Sequence, residues 1–218
     1  MKLQWERWSP LAGVLAVAGM LIAFALISGA PGTNDSDAKI TTYFTTQSHQ
    51  TRSIVAFFVF LAGILFLLAF FSVLRTRLVA AEGEAAGRLG ALAYGSGVAS
   101  AVFWVAAMAL FSGPALTADD TGRFHLDPNT FRLVSDTGYE FWVAAVVTGA
   151  LVVWATSAVA LRTGLLPRWF GWLGIIVGVI QLFAIVFFPV FVYWGWILLA
   201  ALMLARRTTG ARSPTAPT

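Results

Sequence analysis

No cysteine occurs in the 218 residues, which removes disulfides, a thiolate nucleophile and cysteine-ligated metal from the chemistry open to the chain. Charge is nearly as scarce: 11% of residues are Asp, Glu, Lys or Arg, where soluble domains carry roughly a quarter. The only lysines, Lys2 and Lys39, lie outside the hydrophobic runs, so a retinal Schiff base has no attachment point. The only histidines, His49 and His125, sit in polar connectors, and bis-histidine haem has no mid-depth pair. An intramembrane serine nucleophile would need a base at depth, and the runs supply none. No cofactor is expected.

Apolar residues make up what is left: 59% of the chain is hydrophobic, with a mean hydropathy of +0.81. Six runs stand out: Pro10 to Ala30, Ser53 to Leu74, Leu89 to Ser112, Tyr139 to Leu161, Trp169 to Phe188 and Val190 to Ala205. As helices, the first five reach roughly 30 Å or more and cross the hydrocarbon unaided. The sixth reaches only about 24 Å and depends on Arg206 and Arg207 snorkelling to the headgroups. Pro189 separates the last two runs and predicts a tight hairpin there. Lys2 and Arg7 precede the first run, which ends in Ser28-Gly29-Ala30 like a signal-peptidase site. Its apolar stretch from Leu11 to Ile27 is longer than an h-region of about 7 to 15 residues, so it is expected to stay as an uncleaved span.

These runs predict an all-α, polytopic transmembrane bundle of six spans in three hairpins. A single membrane domain is expected over residues 1–207, with a disordered cytoplasmic tail over 208–218 that includes Pro214 and Pro217. The basic residues orient it. Lys2, Arg7, Arg75, Arg77, Arg88, Arg162, Arg168, Arg206, Arg207 and Arg212 fall on one side; Lys39, Arg52, Arg123 and Arg132 fall on the other. The first side is therefore expected in the cytoplasm with both termini, across a bacterial plasma membrane. Two aromatic belts agree with this: Trp5, Trp8, Trp169 and Trp172 at the inner boundary, and Tyr139, Trp142, Tyr193, Trp194 and Trp196 at the outer. The net charge of +4 is dispersed beside apolar runs, which suits anionic headgroups of the lipid bilayer rather than nucleic acid.

Small residues mark close packing. The third span carries Gly87, Gly90, Gly95, Ser96, Gly97 and Ser100; the fifth carries Gly171, Gly174 and Gly178, the last two in GxxxG spacing. These two helices are expected near the centre of the bundle, or on a face that pairs two copies of the chain. Each hairpin ends inward in an Arg-Thr or Arg-Arg word, which the positive-inside rule explains without an internal repeat.

The outer connectors collect the polar residues. In the second, Asp127-Pro128 reads as an N-cap and first turn, with Phe131 and Val134 apolar at helical spacing; a short interfacial helix leading into the fourth span is expected. Glu140 is the one acid placed within a span. With Ala144 and Thr148 it forms an i, i+4, i+8 stripe expected to face the bundle. It either floors an outward cavity with Asp136, Tyr139 and Arg132 around it, as a cation or proton site, or it complements the helix dipole and pairs with Arg52 or Arg132. His49 and His125, with Asp136 or Glu140, would suffice to ligate a divalent metal, although no HxxxH or HExxH spacing is present. Ser100, Gln181 and Thr148 form a mid-depth polar set, read first as interhelical hydrogen bonding and second as the lining of a pathway.

Three stretches carry a resemblance: Ser48-His49-Gln50-Thr51-Arg52-Ser53, LRTRLVAAEGEAAGRLGALAYGSG, and LRTGLLPRWFGWLGIIVG. Together they resemble small bacterial, especially actinobacterial, six-helix membrane proteins grouped as a domain of unknown function. The resemblance implies a plasma-membrane location and the same topology, and no reaction. The leading expectation is a non-enzymatic bundle that binds a hydrophobic or lipid-like ligand or a partner membrane protein. Its rivals are a small transporter or channel using the Glu140 cavity, and an outward-facing metal-dependent hydrolase that needs His49 and His125 to converge.

Overall fold

A computed structural model describes residues 9–83, 87–121 and 124–210. The expectations for Lys2, Trp5, Arg7, Trp8, Arg123, Arg212 and residues 211–218 lie outside the described residues. Within them the chain forms seven α-helices: α1 (Ala12–Leu26, entered through a 3-10 turn at Ser9–Leu11), α2 (Asp37–Thr45), α3 (Gln47–Glu82), α4 (Arg88–Asp120), α5 (Pro128–Thr163), α6 (Arg168–Gln181) and α7 (Pro189–Gly210).

Five stretches, Ser9–Leu26, α3, α4, α5 and Pro189–Arg206, are long and apolar enough to cross a membrane. Large apolar side chains such as Phe58, Leu65, Val102 and Ile176 point outward from the bundle, where hydrocarbon solvates them and water would not. The chain is a multi-pass helical membrane protein.

Helix length follows from where the breakers stand. Between Gly63 and Gly83 there is neither glycine nor proline, so α3 runs on through Arg75 and Arg77 to Glu82 and stops at Gly83, whose φ is 80°. With 36 residues it is roughly 54 Å long, well beyond the ~30 Å of hydrocarbon. Glu82 then turns back to cap α4, its carboxylate accepting the Leu89 and Gly90 N–H groups at 3.3 and 2.9 Å. At α5 the expected cap is present: Asp127 accepts from the Thr130 backbone at 2.8 Å and its hydroxyl at 2.9 Å, with Pro128 in the first turn. Gly164, at φ 72°, ends the same helix in the left-handed conformation.

Several expectations are corrected. The interfacial helix of the second connector is not separate but forms the opening turns of α5, because Gly138 continues the helix and lets Phe111 and Leu110 of α4 pack against it. The first connector holds a helix, α2, started by Ser36 accepting the Lys39 N–H. The fifth apolar run is helical only to Gln181; a 3-10 turn at Ala184–Val186 follows before Pro189 starts α7. Thr208 and Thr209, assigned to the tail, continue α7.

The helices pack in the order α1, α3, α4, α5, α6, α7, and α7 closes back onto α1, while α2 lies across the ends of α3, α4 and α5. The glycines of α4 and α6 do not bring those two helices together. Gly90 and Gly97 lie against Val79 and Phe71 of α3, whereas Gly171, Gly174 and Gly178 lie against Leu161, Ser157 and Trp154 of α5. Small residues therefore report close approach to the sequence neighbour here. A close backbone approach the sequence did not flag is Gly19 of α1 on Gly63 of α3, where a Cβ on Gly19 would stand 3.1 Å from the Gly63 Cα.

Trp142, Tyr193, Trp194 and Trp196, expected in the outer belt, are all buried in the bundle. Their position near run ends resembled interfacial placement, but their helix faces turn inward. Trp104 meets Trp142 edge-on at 4.2 Å and lies 5.8 Å from Trp194; such pairs contribute about 0.5–1.5 kcal/mol beyond area burial. Trp169 and Trp172 are exposed.

Candidate ligand cavity

Directly above this aromatic centre, at the end of the bundle that carries α2, lies a cavity of about 410 Å³. Phe24 and Ile27 from the end of α1 form one wall, Met108, Phe111 and Ser112 of α4 another, and Phe131, Ser135 and Trp142 of α5 a third. Phe187, Ser53 and the Tyr43–Phe44 pair of α2 complete it, with Pro31 and Gly32 passing over it. Its size lies within the range of about 300–1,000 Å³ typical of small-molecule pockets.

The roof is held by one side chain. Arg132, next to the cavity-lining Phe131, donates from Nε to the Thr33 carbonyl at 2.9 Å and from Nη2 to the Asp35 carbonyl at 3.0 Å and the Asp37 carboxylate at 2.7 Å. Nη1 reaches the Asn129 side chain at 3.2 Å. Below this strap the connector stiffens itself, since Asp35 accepts from the Gly32 N–H and from Lys39 Nζ, both at 2.8 Å. The Lys39 hydrogen bond, followed by that from Gly32, holds the Asp35 carboxyl below its ordinary pKa. At the start of α5, the Thr130 backbone and hydroxyl lower Asp127 in the same way.

Phe187 enters the cavity wall from an uncommon backbone. Its φ is 66° and ψ −43°, and the Phe188 N–H donates to the Val186 carbonyl across it at 2.8 Å, which is the tight three-residue turn that ordinarily carries strain. The Tyr139 hydroxyl steadies this segment by donating to the Ile185 carbonyl at 2.7 Å.

The residues expected to form the site are dispersed. Tyr139 holds the 3-10 segment, and Arg132 holds the first connector. Glu140 is exposed on the bundle surface, as are Asp136 and Arg52. The expected inward stripe fails because Gly138 and Trp142, not Glu140, occupy the buried face of that turn. Thr148 and Ser100 donate to backbone carbonyls, of Ala144 and Ala145, at 2.7 Å each. Gln181 is fully buried with neither amide atom bonded. His49 stacks on the Tyr43 ring at 4.4 Å, and His125 is exposed. Among the described residues no three His, Asp or Glu side chains gather where one ion would be held, so the metal-site expectation lacks its ligand set.

What the sequence reading missed was the role of Trp142, Ser112 and Ser135. The available signal was Ser112 at the outer end of an apolar run, where a lipid-facing side chain would be aliphatic. Comparison of the chain with protein families, curated proteins and solved structures finds no match.

Proposed function

We propose that this protein is a six-span bundle of the bacterial plasma membrane, with the α2 end outside, and that its outer cavity binds a hydrophobic, lipid-like ligand. The observation that carries this reading is the cavity of about 410 Å³, walled chiefly by aromatic and aliphatic side chains and roofed by a strapped connector. Water is a poor occupant of such walls, and a chain-like molecule is a good one. The sixth crossing is completed by the segment after α6, where Leu182, Phe183, Ile185, Val186 and Phe188 present apolar surface outward. The transport reading has less support: Glu140 lies on the surface, the Thr148 hydroxyl is bonded within its own helix, and the Ser100 hydroxyl is bonded across from α4 to the Ala145 carbonyl of α5.

Two measurements test this. Because the chain has no native cysteine, single cysteines at Thr76 and Thr163 are expected to react only from the cytoplasmic side, and one at Asp136 only from outside. Native mass spectrometry of the protein purified from membranes is expected to show a retained lipid-sized adduct that Ser112→Phe, which fills the cavity, removes. Labelling of Thr76 and Thr163 from opposite faces would sink the topology. An adduct unchanged by Ser112→Phe would sink the cavity as its site.

A further inference from the structure

The seam between α3 and α4 carries a second candidate site, which shares no lining residue with the outer cavity. A groove of about 200 Å³ runs along it, lined only by aliphatic side chains: Ile64 and Leu68 of α3, and Val98, Ala101, Val102 and Val105 of α4. Ile64 and Ala101 are buried at its floor, while Val102 is exposed at its rim. On α3, Arg75 follows Leu68 by seven residues, which puts both on one helix face about 10 Å apart. Tyr94, Val98 and Val102 likewise follow one face of α4. The helices run antiparallel, with Gly97 against Phe71 and Gly90 against Val79, so the two faces meet beyond the groove's inner end. There the Arg75 guanidinium lies over the Tyr94 ring, 5.5 Å from its centroid.

Arg75 is exposed and holds no acid. Neither ion pair among the described residues involves it, and no hydrogen bond to another described residue takes up its N–H groups. Stacking occupies the face of the guanidinium and leaves free the N–H edge that grips phosphate. Glu82, the acid described at this end of α3, has its carboxylate oxygens on the Leu89 and Gly90 N–H groups. A headgroup ammonium therefore finds no free carboxylate here, whereas a phosphate finds an uncompensated cation.

We infer that the groove and the Arg75–Tyr94 pair form a binding site for an anionic glycerophospholipid: Arg75 receives the phosphate, and one acyl chain lies along the aliphatic seam. Lipid is the occupant because the two halves are continuous. Arg75 stands directly after the apolar run Ser53 to Leu74, which sets it at headgroup depth and the groove in hydrocarbon. A soluble phosphate would use the cation and leave the groove without a role. The outer cavity plays no part in this site.

The test uses the full chain in detergent and three probes: dioleoyl phosphatidylglycerol, dioleoyl phosphatidylcholine, and glycerol phosphate, which offers the phosphate without chains. Binding is read by native mass spectrometry. Phosphatidylglycerol is expected to bind about ten-fold tighter than phosphatidylcholine, the worth of a hydrogen bond to a charged group, and glycerol phosphate is expected not to be retained. Arg75→Gln is expected to bring phosphatidylglycerol down to the phosphatidylcholine level while phosphatidylcholine binding persists, which shows the variant to be folded. Val102→Trp, at the exposed rim, covers the groove and is expected to weaken both lipids. Two controls are expected to leave the anionic lipid's advantage intact: Arg162→Gln, which removes an arginine of α5, and Ser112→Phe, which fills the outer cavity. An advantage unchanged in Arg75→Gln, or lost equally in Arg162→Gln, would assign the selectivity to the general charge of this end and overturn the site. Equal binding of the two lipids, or glycerol phosphate held as tightly as phosphatidylglycerol, would overturn the anionic lipid as its occupant.

Discussion

The ring of Phe187 lies against the indole of Trp142 with centroids 5.4 Å apart and 13° between planes. It gets there through the one positive φ of a non-glycine residue among the described residues. The same ring stacks on Phe24 at 5.6 Å, so one strained residue joins α1, α5 and the turn before α7. Backbone strain of this kind costs about 1–3 kcal/mol and persists where packing over-determines it.

That cost can be separated from the ring's packing. Phe187→Ala removes the ring and keeps a Cβ on the strained backbone; Phe187→Gly removes the ring and relaxes the backbone. Thermal unfolding in detergent is expected to show both below the wild type, with the alanine variant lower than the glycine variant by about 1 kcal/mol. Equal stabilities would mean the backbone at this turn is not strained.

Arg132 is expected to be replaceable by neither Lys nor Ala. Lysine offers one flexible ammonium for bonds that a planar guanidinium makes in three directions. In Arg132→Lys, amide exchange over residues 32–37 is expected to quicken by about ten-fold, as loss of one to two hydrogen bonds implies. Unchanged exchange would show that the connector is held by something else.

The connector is also expected to loosen in acid. Asp35 has a lowered pKa, from its bonds to Lys39 and Gly32, so its contribution is complete above the unfolded value near 3.9 and is lost as pH falls through the folded one. A spin label on a cysteine at Asn34 is expected to gain mobility below about pH 4, and Asp35→Asn is expected to give the mobile spectrum already at neutral pH. A spectrum unchanged between pH 7 and 3 would contradict this.

Two glycines give opposite expectations. A Cβ on Gly63 would meet backbone, 3.2 Å from the Ala16 carbonyl and 3.3 Å from the Met20 nitrogen, so Gly63→Ala is expected to destabilise by about 1–3 kcal/mol. At Gly95 a Cβ meets nothing within 4 Å, and Gly95→Ala is expected to stabilise by about 0.5–1 kcal/mol. Unfolding in mild detergent with added denaturant reads both.

Much of the fold was legible because hydrocarbon imposes simple rules. Run length, arginine placement and the Asp127-Pro128 cap point to the apolar helices and to where α5 begins. What composition does not encode is which side of a helix turns inward. Trp142 and Glu140 stand two residues apart at a run's edge, where either serves an interface; the helix phase puts the tryptophan in the core and the acid outside. Likewise Gln181 carries no breaker signal, yet α6 ends there and a 3-10 turn at Ala184–Val186 leads to Phe187 and Pro189. The cavity is assembled from α1, the first connector, α2, α3, α4, α5 and the turn before α7, a convergence that no local pattern carries.

The most direct measurement is a crystal structure grown from lipidic mesophase doped with methyl palmitate. The expected result is continuous elongated density in the cavity, with the Arg132 strap closed above it. A cavity collapsed by the side chains of Phe111, Phe131 and Phe187 would contradict the central claim.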